Sequence, residues 1–113
     1  MFLIEQISSE PLQTTTLILP NSEQISMTIY FVPMQYGWFI TNLVYGDFVL
    51  NSLRITNNPN MLYQWKNIIP FGLACFSKSD REPSFAEDFS SGASKLYLLS
   101  TDEVVELSEM LGG

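Results

Sequence analysis

Gly37-Trp38-Phe39-Ile40-Thr41-Asn42-Leu43-Val44-Tyr45-Gly46-Asp47-Phe48-Val49-Leu50 is the stretch that decides the fold. Aromatic and β-branched residues dominate both halves, and these types fit a half-buried pleated surface. Gly46-Asp47 between them is a two-residue hairpin signal. Glycine at the first central position suits a type II′ turn, whose twist matches the flanking strands. The reading is a strand from Trp38 to Tyr45, a turn, and a strand from Phe48 to Ile55.

Toward the N-terminus the same grammar recurs. Phe2 to Ser8 reads as a short strand broken by Glu10-Pro11, and Leu12 to Leu19 as a second, carried by Thr14, Thr15 and Thr16. Pro20-Asn21-Ser22 is a turn signal. Gln24 to Val32 has the clearest period of two: Ile25, Met27, Ile29 and Phe31 share one face, Ser26, Thr28 and Tyr30 the other. Pro33 stops this strand, and Met34-Gln35-Tyr36-Gly37 connects it to the hairpin.

Toward the C-terminus, Asn57-Asn58-Pro59-Asn60 opens a loop, and Met61 to Asn67 is compatible with a single helical turn. Ile68 to Phe76 is nearly all apolar, which implies burial on both faces; Pro70 within it implies an edge, a bulge or a nearby strand start. Ser77 to Ser94 is the longest polar stretch, and a loop of that length is either functional or mobile. Phe85 and Phe89 predict that it packs down on something. Lys95 to Leu99 is the last strand. Ser100 followed by Glu103 is a capping box, and Asp102, Glu103 and Glu106 suit the positive end of a helix dipole. Val104, Leu107 and Leu111 share a stripe that should lie on the sheet, and Gly112-Gly113 ends the helix. The pattern predicts an all-β fold over residues 1–113: one domain, a small antiparallel β-barrel or sandwich of six or seven strands with a short C-terminal helix.

Composition narrows the function. The apolar fraction is 46%, ample for one core in 113 residues. Charged residues make up only 15%, below the roughly 25% usual for soluble domains. The covering is Ser, Thr, Asn and Gln beside many aromatics, a surface suited to an assembly partner or to a monomer with a polar skin. The net charge is −7, and the cations Arg54, Lys66, Lys78, Arg81 and Lys95 are scattered, so neither nucleic acid nor an anionic membrane is an expected partner. The first residues lack the positive region and long apolar run of a signal peptide.

Nothing in the sequence looks catalytic. There is no histidine, which removes Ser-His and Cys-His pairs and most zinc sites. The lone Cys75 lies in an apolar run and reads as a buried, inert thiol. Asp80, Glu82, Glu87 and Asp88 share the long loop; paired carboxylates can hydrolyse glycosides, but only when held rigidly across a cleft. The ligand alternation of a helix–loop–helix Ca²⁺ site is absent. Glycines stand singly, without a phosphate-cradling loop, so no cofactor is expected. Arg54 is expected to pair with a carboxylate inside the fold, and Trp38 to sit in the core. Tyr63 and Trp65, beside the Asn/Pro loop, are candidates for an interface or for core packing, and Phe85 and Phe89 are further candidate interface residues.

The order of these pieces resembles the phage baseplate plug family of contractile-tailed phages. Three segments carry the likeness. The first is Leu12-Gln13-Thr14-Thr15-Thr16-Leu17 followed by Ile25-Ser26-Met27-Thr28-Ile29. The second is Trp38-Phe39-Ile40-Thr41 with Gly46 and Arg54. The third is Lys95-Leu96-Tyr97-Leu98-Leu99-Ser100-Thr101-Asp102-Glu103-Val104. The resemblance spans Glu5 to Leu107. It implies a virion structural protein made in the host cytoplasm, with no active site. Such a protein plugs the tail tube end or joins it to hub and spike, in several copies, with tube, hub, spike and wedge proteins as partners. Two rivals stand beside it: a phage-encoded acidic inhibitor that binds a host protein, and a carboxylate hydrolase depending on Asp80 or Glu87.

Overall fold

The computed structural model describes residues 1–4, 7–19, 22–78 and 81–111. Among these, eight strand segments form two antiparallel sheets packed as a sandwich, with one helix at the end. The segments are β1 (Phe2–Leu3), β2 (Leu12–Ile18), β3 (Gln24–Val32), β4 (Gly37–Tyr45), β5 (Phe48–Leu50), β6 (Leu53–Arg54), β7 (Gly72–Ser77) and β8 (Ser94–Leu99); the helix is α1 (Thr101–Met110). The larger sheet runs β2-β3-β4-β5 with β6 also on β4, and the smaller runs β1-β8-β7. The sheets do not close into a barrel.

The hairpin forms as its sequence dictates. Tyr45 pairs with Phe48, and of the two central residues only Gly46 has positive φ (57°), as a type II′ turn requires. The expected long strand to Ile55 is instead interrupted. β5 ends at Leu50, and β6 resumes on the same edge of β4, opposite Phe39 and Ile40. The break is held by Thr41, whose hydroxyl donates to the carbonyl of Asn51 at 2.6 Å.

Two other strands are shorter than their patterns suggest. In the stretch from Phe2 to Ser8 the strand is Phe2–Leu3, paired with β8, and the Ile4 amide still donates to the Leu96 carbonyl at 2.8 Å; Ile7 turns into the core, and Glu5 and Gln6 lie outside the described residues. The apolar stretch from Ile68 becomes a strand only at Gly72, so Pro70 precedes the strand, and Ile68 is exposed. Met61 to Asn67 contains one 3-10 turn, Tyr63–Trp65. The predicted turn residues Pro20 and Asn21, the loop residue Asp80 and the closing Gly112-Gly113 also lie outside the described residues.

β4 contains the feature that sets the core. The β3–β4 register shifts between Ser26/Val44 and Thr28/Thr41, and Asn42 takes a left-handed φ of 53°. This is a β-bulge, one extra residue opposite Met27. Without it, strict alternation from Trp38 and Ile40 would turn Asn42 inward. With it, Asn42 is exposed, and Leu43 joins Trp38 and Ile40 at 0% exposure.

The main core joins the two sheets through Ile25, Met27, Ile29, Trp38, Ile40 and Leu43 on one side and Leu73, Cys75, Leu96 and Leu98 on the other. A smaller cluster, Ala74, Leu99 and Val104 with Leu107 against it, seats α1 on the outer face of the smaller sheet. The helix begins with the predicted capping box: Ser100 accepts from the Glu103 amide, and the Glu103 carboxylate accepts from the Ser100 amide. Leu111 leaves the expected stripe and is exposed, because the packed face ends with Leu107.

The free edge of β7 is covered. Asn58 and Cys75 exchange both backbone bonds, and Met61 donates to the Leu73 carbonyl at 2.7 Å. The buried Asn60 side chain accepts from the amides of Leu62 and Leu73. Gly72 makes this approach possible, since a Cβ there would stand 2.6 Å from Asn60 Oδ1.

Candidate functional site

The predicted site residues fall in two separate places. Phe85 and Phe89 both meet Trp38, from the loop between β7 and β8. The Trp38 indole Nε1 donates to the Phe85 carbonyl at 3.0 Å, and Phe89 stands edge-on to the indole with centroids 5.5 Å apart. Phe89 is thereby buried, whereas Phe85 is 52% exposed, with its ring under the Arg81 guanidinium. Tyr63 and Trp65 lie on the 3-10 turn. Trp65 is half-buried, edge-on to Phe48. Lys66 donates to the Tyr63 hydroxyl at 3.0 Å and to Ser108 Oγ at 2.9 Å, which ties the turn to α1. The Lys66 hydrogen bond also holds the Tyr63 phenol below its usual pKa. Among the described residues no ring contact joins the two places.

The long polar loop is ordered by one buried carboxylate. Asp88 accepts two bonds from Arg81, at 3.0 and 3.2 Å, and one each from the amides of Ser84 and Phe85. Burial alone would raise its pKa, but Arg81 and the two amides outweigh burial and hold it below the ordinary carboxylate value. Oδ2 takes three of these four bonds and Oδ1 takes one, so the carboxylate acts as a structural brace for the loop. Arg54 pairs with Glu82 at 3.8 Å, donates to the carbonyls of Gln35 and Tyr36, and lies over the Phe39 ring. Burial pushes the Cys75 thiol up to about 12, with the nearby Glu82 charge adding to the shift, so it is a poor nucleophile. Among the described residues no group of three or more His, Cys, Asp or Glu side chains is placed to hold a metal ion, and no helix is long and apolar enough to cross a membrane.

The open apolar surface lies elsewhere, around α1. A groove of about 170 Å³ runs between the helix and the smaller sheet, floored by Leu99 and Leu107 and walled by Pro59, Phe76 and Met110, with Glu103 and Glu106 at its rim. Phe76 is 44% and Met110 81% exposed. The sequence hid this patch. Phe76 closes an apolar run that reads as buried on both faces, yet the buried cluster under α1 takes in Ala74 and Leu99 and leaves Phe76, packed on Tyr97, 44% exposed. A second groove of about 290 Å³, lined by Leu3, Ile4, Ile7, Phe89 and Leu96 with three serines, lies between β1 and the loop.

No protein-family model matches the chain, and no curated protein is significantly similar to it.

Proposed function

We propose that this chain is a structural subunit of a contractile phage tail baseplate, helping to plug the tail tube end or to join it to the hub and spike. The observation that carries the structural part of this reading is the exposure of Phe76 and Met110, which wall the groove beside α1. Apolar walls left open in this way suit a face that a neighbouring protein covers. The loop carboxylate Asp88 is engaged inside the fold, which steadies the loop that carries Phe85 and Phe89. The baseplate part rests on the order of strand motifs from Leu12 to Val104 and their resemblance to the plug family. The expected partners are tube, hub, spike and wedge proteins, in a multi-copy assembly.

A second reading has its own support. α1 carries Asp102, Glu103, Glu106 and Glu109 and no basic residue in its last turn, the acidic surface expected of an inhibitor that binds a basic host protein. Cross-linking mass spectrometry on purified particles of a phage encoding the chain separates the two. Lys78 and Lys95 are the exposed reporters, since Lys66 is engaged with Tyr63 and Ser108. The baseplate reading expects links from them to tube or hub proteins. Absence of the chain from intact particles overturns it in favour of the host-directed reading.

A further inference from the structure

Every strand edge has to be paired, covered or made repellent, because its unpaired amides and carbonyls are a template for another chain. The β7 edge is covered by residues 58–61. Among the described residues, none covers the outer edge of β2 in this way. Its residues, Leu12-Gln13-Thr14-Thr15-Thr16-Leu17-Ile18, include no charge and no proline, and they keep register with β3 over all seven pairs without a bulge.

The bonding phase of this edge follows from both ends of the β2–β3 ladder. The Phe31 amide donates to the Pro11 carbonyl, and the Leu19 amide to the Glu23 carbonyl. Hydrogen-bonded and non-hydrogen-bonded pairs alternate in an antiparallel ladder. The odd-numbered residues of β2 therefore bond to β3. The amides and carbonyls of Leu12, Thr14, Thr16 and Ile18 point away from the sheet, and among the described residues no group bonds to them. The side chains of these four residues are also exposed, Leu12 at 68% and Ile18 at 66%. The inward-facing Gln13, Thr15 and Leu17 stay half-exposed because no strand flanks them, whereas Ile25, Met27 and Ile29 on the next strand are buried.

The occupant that fits is a second copy of the same strand. We propose that β2 pairs antiparallel with β2 of a second copy, about a two-fold axis through Thr15, joining the two larger sheets into one. The sequence of β2 is nearly symmetric about Thr15. In that register Leu12 faces the partner's Ile18, Thr14 faces the partner's Thr16, and Thr15 faces the partner's Thr15. All four outward-pointing residues become hydrogen-bonded pairs, and the two exposed aliphatics cover each other. A shift by two residues leaves an aliphatic and its backbone groups unpaired at each end. The net charge of −7 opposes association at long range but not at the uncharged contact, so added salt strengthens the dimer. The inference does not rest on the baseplate reading.

Sedimentation of the full chain over a concentration series tests it. The expected result is a monomer–dimer equilibrium. Thr16→Pro removes an amide that the β2–β3 ladder does not use, and it weakens the dimer at least about tenfold while the circular dichroism of the monomer is unchanged. Leu12→Glu and Ile18→Lys each weaken it, and the double variant recovers it because the new charges face each other across the axis. Thr15→Cys forms a disulfide-linked dimer on mild oxidation, since directly opposed non-hydrogen-bonded positions fit disulfide geometry; Thr14→Cys, diagonal to its symmetry mate, does not. A chain that stays monomeric and whose Thr15→Cys variant does not cross-link overturns the proposal. A dimer that survives Thr16→Pro, or a foreign strand found on β2 in an assembled particle, overturns it equally.

Discussion

In the smaller sheet the inner face is covered, and the outer face is covered where α1 lies. Leu73, Cys75, Leu96 and Leu98 meet the core, and Ala74 and Leu99 meet Val104 and Leu107 of α1. Among the described residues, only one face of the larger sheet is covered. Ile25, Met27, Ile29, Trp38 and Ile40 point into the core, while Thr14, Thr16, Ser26 and Thr28 face outward and Tyr30 stacks on Phe39. The sequences differ accordingly. Strands buried on both sides read as continuous apolar runs, and half-solvated strands alternate. The sheets also treat their edges differently, one sealed by Asn58 and Met61, the other open along β2.

The comparison breaks most completely at Trp38, which the larger sheet contributes to the joint core. The indole packs against Phe31 and Phe89 and donates to the Phe85 carbonyl. Trp38→Ala should cost about 3–5 kcal/mol, read as a lower urea midpoint at unchanged slope. A cost near zero would mean that the sandwich does not depend on this ring.

Next comes the brace that holds the loop over Trp38. Asp88→Asn should cost about 2–3 kcal/mol, because it weakens charge-assisted bonds to Arg81, Ser84 and Phe85 around a buried group. The pH dependence has a definite sign. Asp88 has a folded pKa below its unfolded one. Its contribution is complete above the ordinary carboxylate pKa and is lost as pH falls below about 4. Thermal melts on acidification should show the wild-type chain losing more stability than Asp88→Asn; parallel losses would remove Asp88 from the account.

A smaller pair of substitutions sharpens the contrast between the two outer faces. Ala74→Leu, under α1, should cost about 1–3 kcal/mol through overpacking. Thr28→Val, on the bare face of the larger sheet, should change stability by no more than about 0.5 kcal/mol, since the hydroxyl gives up only a contact with Thr14. Equal costs at the two positions would mean that the larger sheet is covered after all.

Local chemistry made much of this legible. The alternation of Gln24 to Val32, the Gly46-Asp47 turn and the Ser100/Glu103 capping box each depend on residues within one turn or one strand, and each is found where the sequence indicates. The interruption at Asn51-Ser52 and the late start of β7 were not legible, because apolar residues such as Ile68 look alike whether or not a partner strand reaches them. The candidate site divided in the same way. Phe89 and Trp65 read as possible interface and are held in or against the core; Phe76 reads as core and is open, because coverage depends on where α1 stops.

The sequence by itself determined the class of fold: strands by their period of two, turns by glycine and asparagine, and a helix by its cap, all short-range effects of backbone sterics and side-chain direction. Only the tertiary structure decided the rest. The bulge at Asn42 reversed the facing of β4 because the core has room for Leu43 and none for an unpartnered amide. The fold also left the β2 edge open, since whether an edge is covered depends on which distant segment returns to it, a long-range outcome that no local pattern encodes.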